Sequence, residues 1–169
     1  MAYSISMAVL IILYVLVFVY FWYTLYAMFK AAPFVPLSKE NVQGLLALAR
    51  LRPEDVLMDL GSGDGRILAS ASPAVARAIG IEINPILYWW SKFRWRHLAN
   101  VKIVREDLWK TDLSGVDVLT LYFIPPKMSR LAQKIKAEMK PGSRVLSYAF
   151  KFPDWQYAEK DGKMHLYLV

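Results

Sequence analysis

The sequence predicts an α/β fold: a mostly parallel sheet with helices packed on it, closed by a C-terminal antiparallel hairpin and preceded by one transmembrane helix. Three observations carry that reading. The first 29 of 169 residues hold no charge. Strand-length apolar runs then alternate with helical patterns, and the first of those runs opens into a glycine-rich turn. Such alternation is the signature of layered α/β domains.

Hydrophobic residues make up 56% of the chain, high for one domain of this length, and the N-terminus accounts for the excess. Met7 to Phe29 is an apolar and aromatic run of 23 residues. As a helix it would be roughly 34 Å long, against a hydrocarbon core of about 30 Å. Tyr20, Phe21, Trp22, Tyr23 and Tyr26 crowd its carboxyl end, where an interfacial aromatic belt would sit. It has no positive n-region, so it is expected to be retained and not cleaved as a signal peptide. Lys30, Lys39, Arg50 and Arg52 follow, and the positive-inside bias puts them in the cytoplasm. The expected localisation is a single-pass membrane protein with its domain on the cytoplasmic side, or on the matrix side of the mitochondrial inner membrane in a eukaryote.

The net charge of +7 lies wholly after residue 29. A basic domain at a membrane is attracted to anionic lipid, so an anionic membrane surface is an expected partner. No nucleic-acid motif accompanies the charge, and nucleic acid is not expected. The chain has no Cys, which excludes disulfides and thiolate metal sites. Its two histidines, His97 and His165, are far apart in sequence, and no metal site is expected.

Residues 1–29 are thus read as a transmembrane helix, 30–37 as a proline-containing linker and 38–169 as the α/β domain. In the linker, Pro33 and Pro36 stiffen the chain and keep their predecessors extended. Ser38 can cap a helix whose Val42, Leu45, Leu46 and Ala49 share one face. Val56 to Leu60 is the first strand, and Gly61, Gly63 and Gly65 follow at alternate positions. Glycines there let the backbone approach a ligand closely, with the next helix's amides aimed at it. In a dinucleotide fingerprint the third small residue would stand at 66, which is Arg66. The order is instead D-x-G-x-G-x-G from Asp59, as is usual in Rossmann-like class I methyltransferases that use S-adenosylmethionine (SAM). A helix from about Asp64 to Ala71 ends at Ser72-Pro73. The second strand, Ala76 to Ile83, delivers Glu82, whose carboxylate can bind both ribose hydroxyls.

Asn84-Pro85 starts a helix reaching about Leu98, which mixes Tyr88, Trp89, Trp90, Phe93 and Trp95 with Lys92, Arg94, Arg96 and His97. One aromatic face can cover the sheet; a membrane surface is the functional reading of the rest. Val101 to Val104 is a strand, with Asp107 beyond it placed to accept an adenine amino group, and Leu108 to Gly115 is too short for a full helix. Val116 to Phe123 is a strand. A helix from about Lys127 to Met139 follows, with Met128, Leu131, Ile135 and Met139 inward. Arg144 to Phe150 is the next strand, and Trp155 to Glu159 and Lys163 to Val169 flank the hairpin signal Asp161-Gly162.

Six stretches resemble the small seven-β-strand protein-lysine methyltransferases, which include the mitochondrial ATP synthase c-subunit and adenine nucleotide translocase enzymes and archaeal relatives. They are Pro33 to Pro36, Asp59 to Ile67, Gly80 to Pro85, Asp107 to Lys110, Pro141 to Ser147 and Phe150 to Trp155. The resemblance implies that Asp59, Gly61, Gly63, Glu82 and Asp107 line a SAM site. Ser62, Asp64, Asn84 and Leu108, beside them in the chain, complete the expected cofactor set. Tyr148 stands where some relatives have histidine, and the final strands leave little room for a substrate-capping insertion.

The expected reaction is methyl transfer from SAM to a lysine of a membrane or membrane-near protein. A lysine amine has a reference pKa near 10.4 and must be neutral to attack, which an apolar aromatic pocket favours. Tyr122, Tyr148 and Trp155 are the candidates for that pocket. Two other readings stay open: a lipid or quinone methyltransferase, and a non-catalytic SAM-binding module at a membrane. The absence of an Asn-Pro-Pro-Tyr sequence after the strand ending at Phe123 argues against amide and exocyclic-base N-methyltransferases.

Overall fold

The computed structural model describes the backbone of residues 2–30 and 34–169, with side chains over 7–22 and 34–169. The chain divides into two compact units, one within residues 1–33 and one spanning Phe34–Val169. Ala31, Ala32 and Pro33 of the expected linker lie outside the described residues, as do the side chains of Tyr23 and Tyr26.

The first unit holds one helix, α1 (Ala2–Lys30). Among the described residues, no helix is long and apolar enough to cross a membrane. The expected single-pass localisation, with the domain on the cytoplasmic or matrix side, is corrected on this finding.

The second unit carries α2 (Lys39–Ala49), β1 (Val56–Leu60), α3 (Arg66–Ala71), β2 (Arg77–Ile81), α4 (Pro85–Arg94), β3 (Val101–Val104), β4 (Val118–Leu121), α5 (Met128–Glu138), β5 (Arg144–Tyr148), β6 (Glu159–Asp161) and β7 (Met164–Leu168). The seven strands form one sheet in the order β3-β2-β1-β4-β5-β7-β6. β1 to β5 pair in parallel, while β7 runs antiparallel to both β5 and β6. The predicted mostly parallel sheet with an antiparallel C-terminal edge is therefore observed. β4 runs from 118 to 121, where 116 to 123 was expected, because Asp117 accepts a 2.8 Å bond from Val56 N before the ladder starts and Pro125 and Pro126 end it.

Helices α2, α3 and α4 cover one face through a core that includes Leu45, Leu57, Leu68, Val118 and Leu146. Ser38 caps α2 through a 3.2 Å bond from Asn41 N. Leu48, not Leu46, completes its buried face; Leu46 is partly buried against the same core. On α5 the periodicity holds throughout, since Met128, Leu131 and Ile135 are fully buried and Met139 nearly so. Burying side chains of this size contributes roughly 1.5–3 kcal/mol each. At the amino ends of the parallel strands, Arg144 forms a buried 2.5 Å ion pair with Asp55 and donates 2.8 Å to the Ala49 carbonyl. These bonds tie β5 to the start of β1 and the end of α2.

Candidate functional site

The chain order of the sheet reverses between β1 and β4, and the crevice beyond the carboxyl ends of such strands is where open α/β sheets bind ligands. The glycine turn leaves β1 at this point. Gly61 and Ser62 donate to the Ile81 carbonyl at 2.9 and 3.0 Å, and Gly65 donates to Ser62 O at 2.8 Å, folding the turn back over β2. Gly61, Gly63 and Gly65 all have positive φ (79°, 55° and 76°), which explains the alternate spacing. α3 begins only at Arg66, later than expected, because Gly65 is left-handed and cannot be its first helical residue.

Two carboxylates organise the crevice. Glu82, just past β2, accepts 2.8 Å from Gly63 N on one oxygen and 2.7 Å from Asn84 N on the other. It is clamped between the glycine turn and the start of α4. Asp59 faces the same crevice from β1 and accepts 2.8 Å from the Thr120 hydroxyl of β4. Burial first, and then the negative charges of Glu82 and Asp64, raise its pKa to about 7 against the lowering effect of Thr120. Burial likewise raises Glu82, which its backbone donors only partly offset. Neither has a salt-bridge partner among the described residues, so the crevice is electrostatically set for a cation and for hydroxyl donors.

Asp64 is arranged differently. Burial raises its pKa, but the Arg66 guanidinium, at 2.9 and 2.7 Å, outweighs that and holds it below the usual range. Arg66 also donates 2.5 Å to Leu37 O, and the Trp95 indole donates 2.7 Å to Asp64 O. Trp95 leaves α4 to make this bond, which is why the helix stops at Arg94 and not near Leu98. Asn84 caps α4, accepting from Ile86 N and Leu87 N at 2.9 and 3.2 Å. Asp107 turns the loop after β3 by accepting 3.1 Å from Trp109 N, with Leu108 half-buried beside it.

Of the three pocket candidates, two meet. Tyr122, just beyond β4, and Tyr148, at the end of β5, are edge to face at 5.1 Å. The third does not join them: Trp155 packs on Phe152 and Tyr167 at 5.2 Å each, with Lys136 of α5 over its ring at 4.7 Å. Alternation along β7 turns Tyr167 away from Leu166 and the core that Tyr122 and Tyr148 touch, so Trp155 sits on the α5 side of the sheet. Phe150 takes the place expected of Trp155, stacked on Tyr122 at 6.0 Å. A tight turn brings it there: Ser147 Oγ donates 2.6 Å to Phe150 O, and Ala149 has φ 66°. Residues 150 to 155 were marked by their resemblance, but nothing in their pattern tells which ring turns inward.

Phe34 was also missed. A Cβ on Gly63 would clash with its ring, so Phe34 rests directly on the glycine turn, and its membership of the Phe-Val-Pro stretch was the available signal. The residues present fit SAM on two observations. The turn is open above Gly61, where a Cβ would meet nothing within 4 Å. The Asp59 and Glu82 carboxylates are neutralised by no protein cation among the described residues, while Ser62 Oγ is buried against Gly80 of β2 without a hydrogen-bond partner.

The family described as the ANTKMT methyltransferase domain matches residues 59–159. The ATP synthase c-subunit lysine N-methyltransferase of Rattus norvegicus is 36% identical over 126 residues, which cover 73% of this chain and 58% of that protein. The protein-lysine N-methyltransferase of Saccharolobus islandicus is 31% identical over 156 residues, 81% of this chain and 93% of that one. Among solved structures, an RNA methyltransferase from Salinibacter ruber in complex with S-adenosyl-L-homocysteine superposes with a TM-score of 0.75 at 32% identity. That match covers 80% of this chain and 94% of the other. The chain spans a little over half the length of the vertebrate relatives it matches, 51–58%.

Proposed function

The chain belongs to the family of ANTKMT methyltransferase domains, and on that premise we propose that it transfers a methyl group from SAM to the side-chain amine of a protein lysine. The observation that carries the lysine reading is the aromatic cluster of Tyr122, Tyr148 and Phe150, set beside an acidic glycine turn at the carboxyl ends of β4 and β5. The likeness to the Saccharolobus protein-lysine N-methyltransferase over 93% of that protein supports it.

In this reading Asp59, Glu82 and Asp107 hold the cofactor over the open backbone at Gly61, while the Gly61, Ser62 and Gly63 amides keep the turn in shape through Ile81 O and Glu82. SAM supplies a methyl group already activated as an electrophile on a sulfonium. The protein's task is then alignment and desolvation. Tyr122, Tyr148 and Phe150 give the lysine stem apolar surface and keep water from the amine. Burial there favours the neutral amine over the ammonium, so the proton leaves to solvent before the amine is aligned. Asp59, bonded to Thr120 and oriented by β1, carries negative charge towards the cationic end of the cofactor.

A second reading has its own support: the Salinibacter protein, 32% identical, is an RNA methyltransferase. One experiment separates the two. Radiolabelled methyl transfer is followed into protein, RNA and organic-extractable fractions of the host, with Asp59→Ala as control. Label recovered as methyllysine after hydrolysis supports the proposal. Label in RNA supports the second reading, and label only in the organic extract indicates a lipid or quinone substrate. SAM binding without transfer to any fraction indicates a non-catalytic module.

A further inference from the structure

α4 buries one face and leaves another bare. Tyr88, Ser91 and Trp95 turn towards the sheet and the glycine turn. Ile86, Trp89, Trp90 and Phe93, spaced i, i+3, i+4 and i+7, point the other way and are 55–66% exposed. That spacing normally marks a helix face packed on something. Lys92 sits over the Trp89 ring at 5.3 Å, and Arg96 over Phe93 at 4.1 Å. The cations therefore stand within the apolar stripe and not on an opposite face. No carboxylate occurs from Pro85 to Leu98.

We propose that the stripe formed by Ile86, Trp89, Trp90 and Phe93, flanked by Lys92 and Arg96, is a docking face for an anionic lipid surface. The domain would lie peripherally on the bilayer with α4 in its plane. Charge complementarity selects this occupant: a helix with exposed Trp and Phe beside Lys and Arg, and no acid, matches the apolar and anionic layers of a lipid interface together. Indole rings favour that depth. A nucleic-acid strand would need free ring faces for bases to stack on. Here Trp89 and Phe93 already carry cations on their faces and Ile86 offers none, which leaves Trp90 without a neighbouring ring to continue a run of stacked bases. The inference is independent of which substrate receives the methyl group.

The absence of cysteine makes a local test clean. In the full chain, Trp90→Cys carries one nitroxide label, and Lys140→Cys, just past α5 on the other side of the sheet, carries the control. Retained SAM binding and an unchanged circular dichroism spectrum show that each variant folds. On vesicles of phosphatidylcholine mixed with phosphatidylglycerol, the label at 90 should become more accessible to oxygen and less accessible to a water-soluble nickel complex. The label at 140 should not change. Replacing Lys92 or Arg96 by Gln should lower the ratio of docked to undocked label by about fivefold per cation. The proposal is overturned if position 90 stays as wet as position 140 on these vesicles. It is equally overturned if RNA but not lipid immobilises the label, or if spin–spin broadening shows that a second copy covers the stripe.

Discussion

The Thr120 hydroxyl donates a 2.8 Å hydrogen bond to Asp59 Oδ1, joining β4 to β1 where the sheet's chain order reverses. It is the bond that opposes burial in setting the charge of Asp59, whose pKa stands at about 7. Between about pH 4 and about pH 7 the folded chain holds a proton that the unfolded chain has lost. Stability of the cofactor-free protein should therefore fall as pH rises through that window, by a few kcal/mol at most, with Glu82 acting in the same direction. Denaturant titrations at pH 5 and pH 8 check this, and equal midpoints would refute it.

The same proton couples to the cofactor. A cationic ligand favours charged Asp59, so SAM binding should release a proton near neutral pH and tighten as pH rises towards about 7. Calorimetry in two buffers of different ionisation enthalpy measures the release directly. Thr120→Val removes a donor to the charged form and should shift the midpoint to higher pH. Asp59→Ala should abolish the release along with most of the affinity.

Gly63 is constrained twice, by its φ of 55° and by the Phe34 ring, which a Cβ at that position would strike. Gly63→Ala should cost about 1–2 kcal/mol in backbone strain alone and weaken SAM binding further by pushing Phe34 off the turn. Adding Phe34→Ala removes the clash but not the strain, so the double variant should recover part of the lost stability. A double variant no more stable than Gly63→Ala would show that the two residues are not coupled as the contact implies.

How far the sequence reaches is visible in these residues. Asp59, Gly61, Gly63 and Glu82 were legible because their chemistry is local: a strand, a turn of alternate glycines and an acid one strand later. The sheet and its antiparallel edge followed from alternation and from Asp161-Gly162. Thr120, Phe34 and Trp95 were not legible, because each acts on a residue at least 29 positions away through one contact. The same gap hides the position of Trp155, whose side of the sheet depends on the turn after β5. The aromatic face of α4 was read partly as sheet cover, yet only Tyr88 and Trp95 among its rings turn inward.

Trp95 locks the turn from the other end. Its indole donates 2.7 Å to Asp64 O, and the same ring lies 2.8 Å from where a Cβ on Gly65 would be. Trp95→Phe keeps most of the bulk and leaves a half-buried carbonyl without its donor, which should cost roughly 1–3 kcal/mol. Thermal unfolding measures that loss. SAM affinity should fall as well, since Asp64 O belongs to the turn itself, and an unchanged affinity would mean that the turn holds its shape without the indole.

The pocket candidates predict a split that stability alone cannot produce. Tyr122, Tyr148 and Phe150 form one ring cluster, while Trp155 lies on the far side of the sheet against Tyr167 and Lys136. Tyr122→Ala and Phe150→Ala should lower kcat/KM for the lysine substrate by at least tenfold, with SAM affinity nearly unchanged. Tyr122→Phe should keep much of the activity if the ring's apolar surface is what aligns the amine. Trp155→Ala should act through folding, lowering the melting temperature while kcat/KM per folded molecule stays close to wild type. If Trp155→Ala instead lost activity without losing stability, the substrate lysine would have to enter from the α5 side, and the Tyr122 cluster would be packing alone.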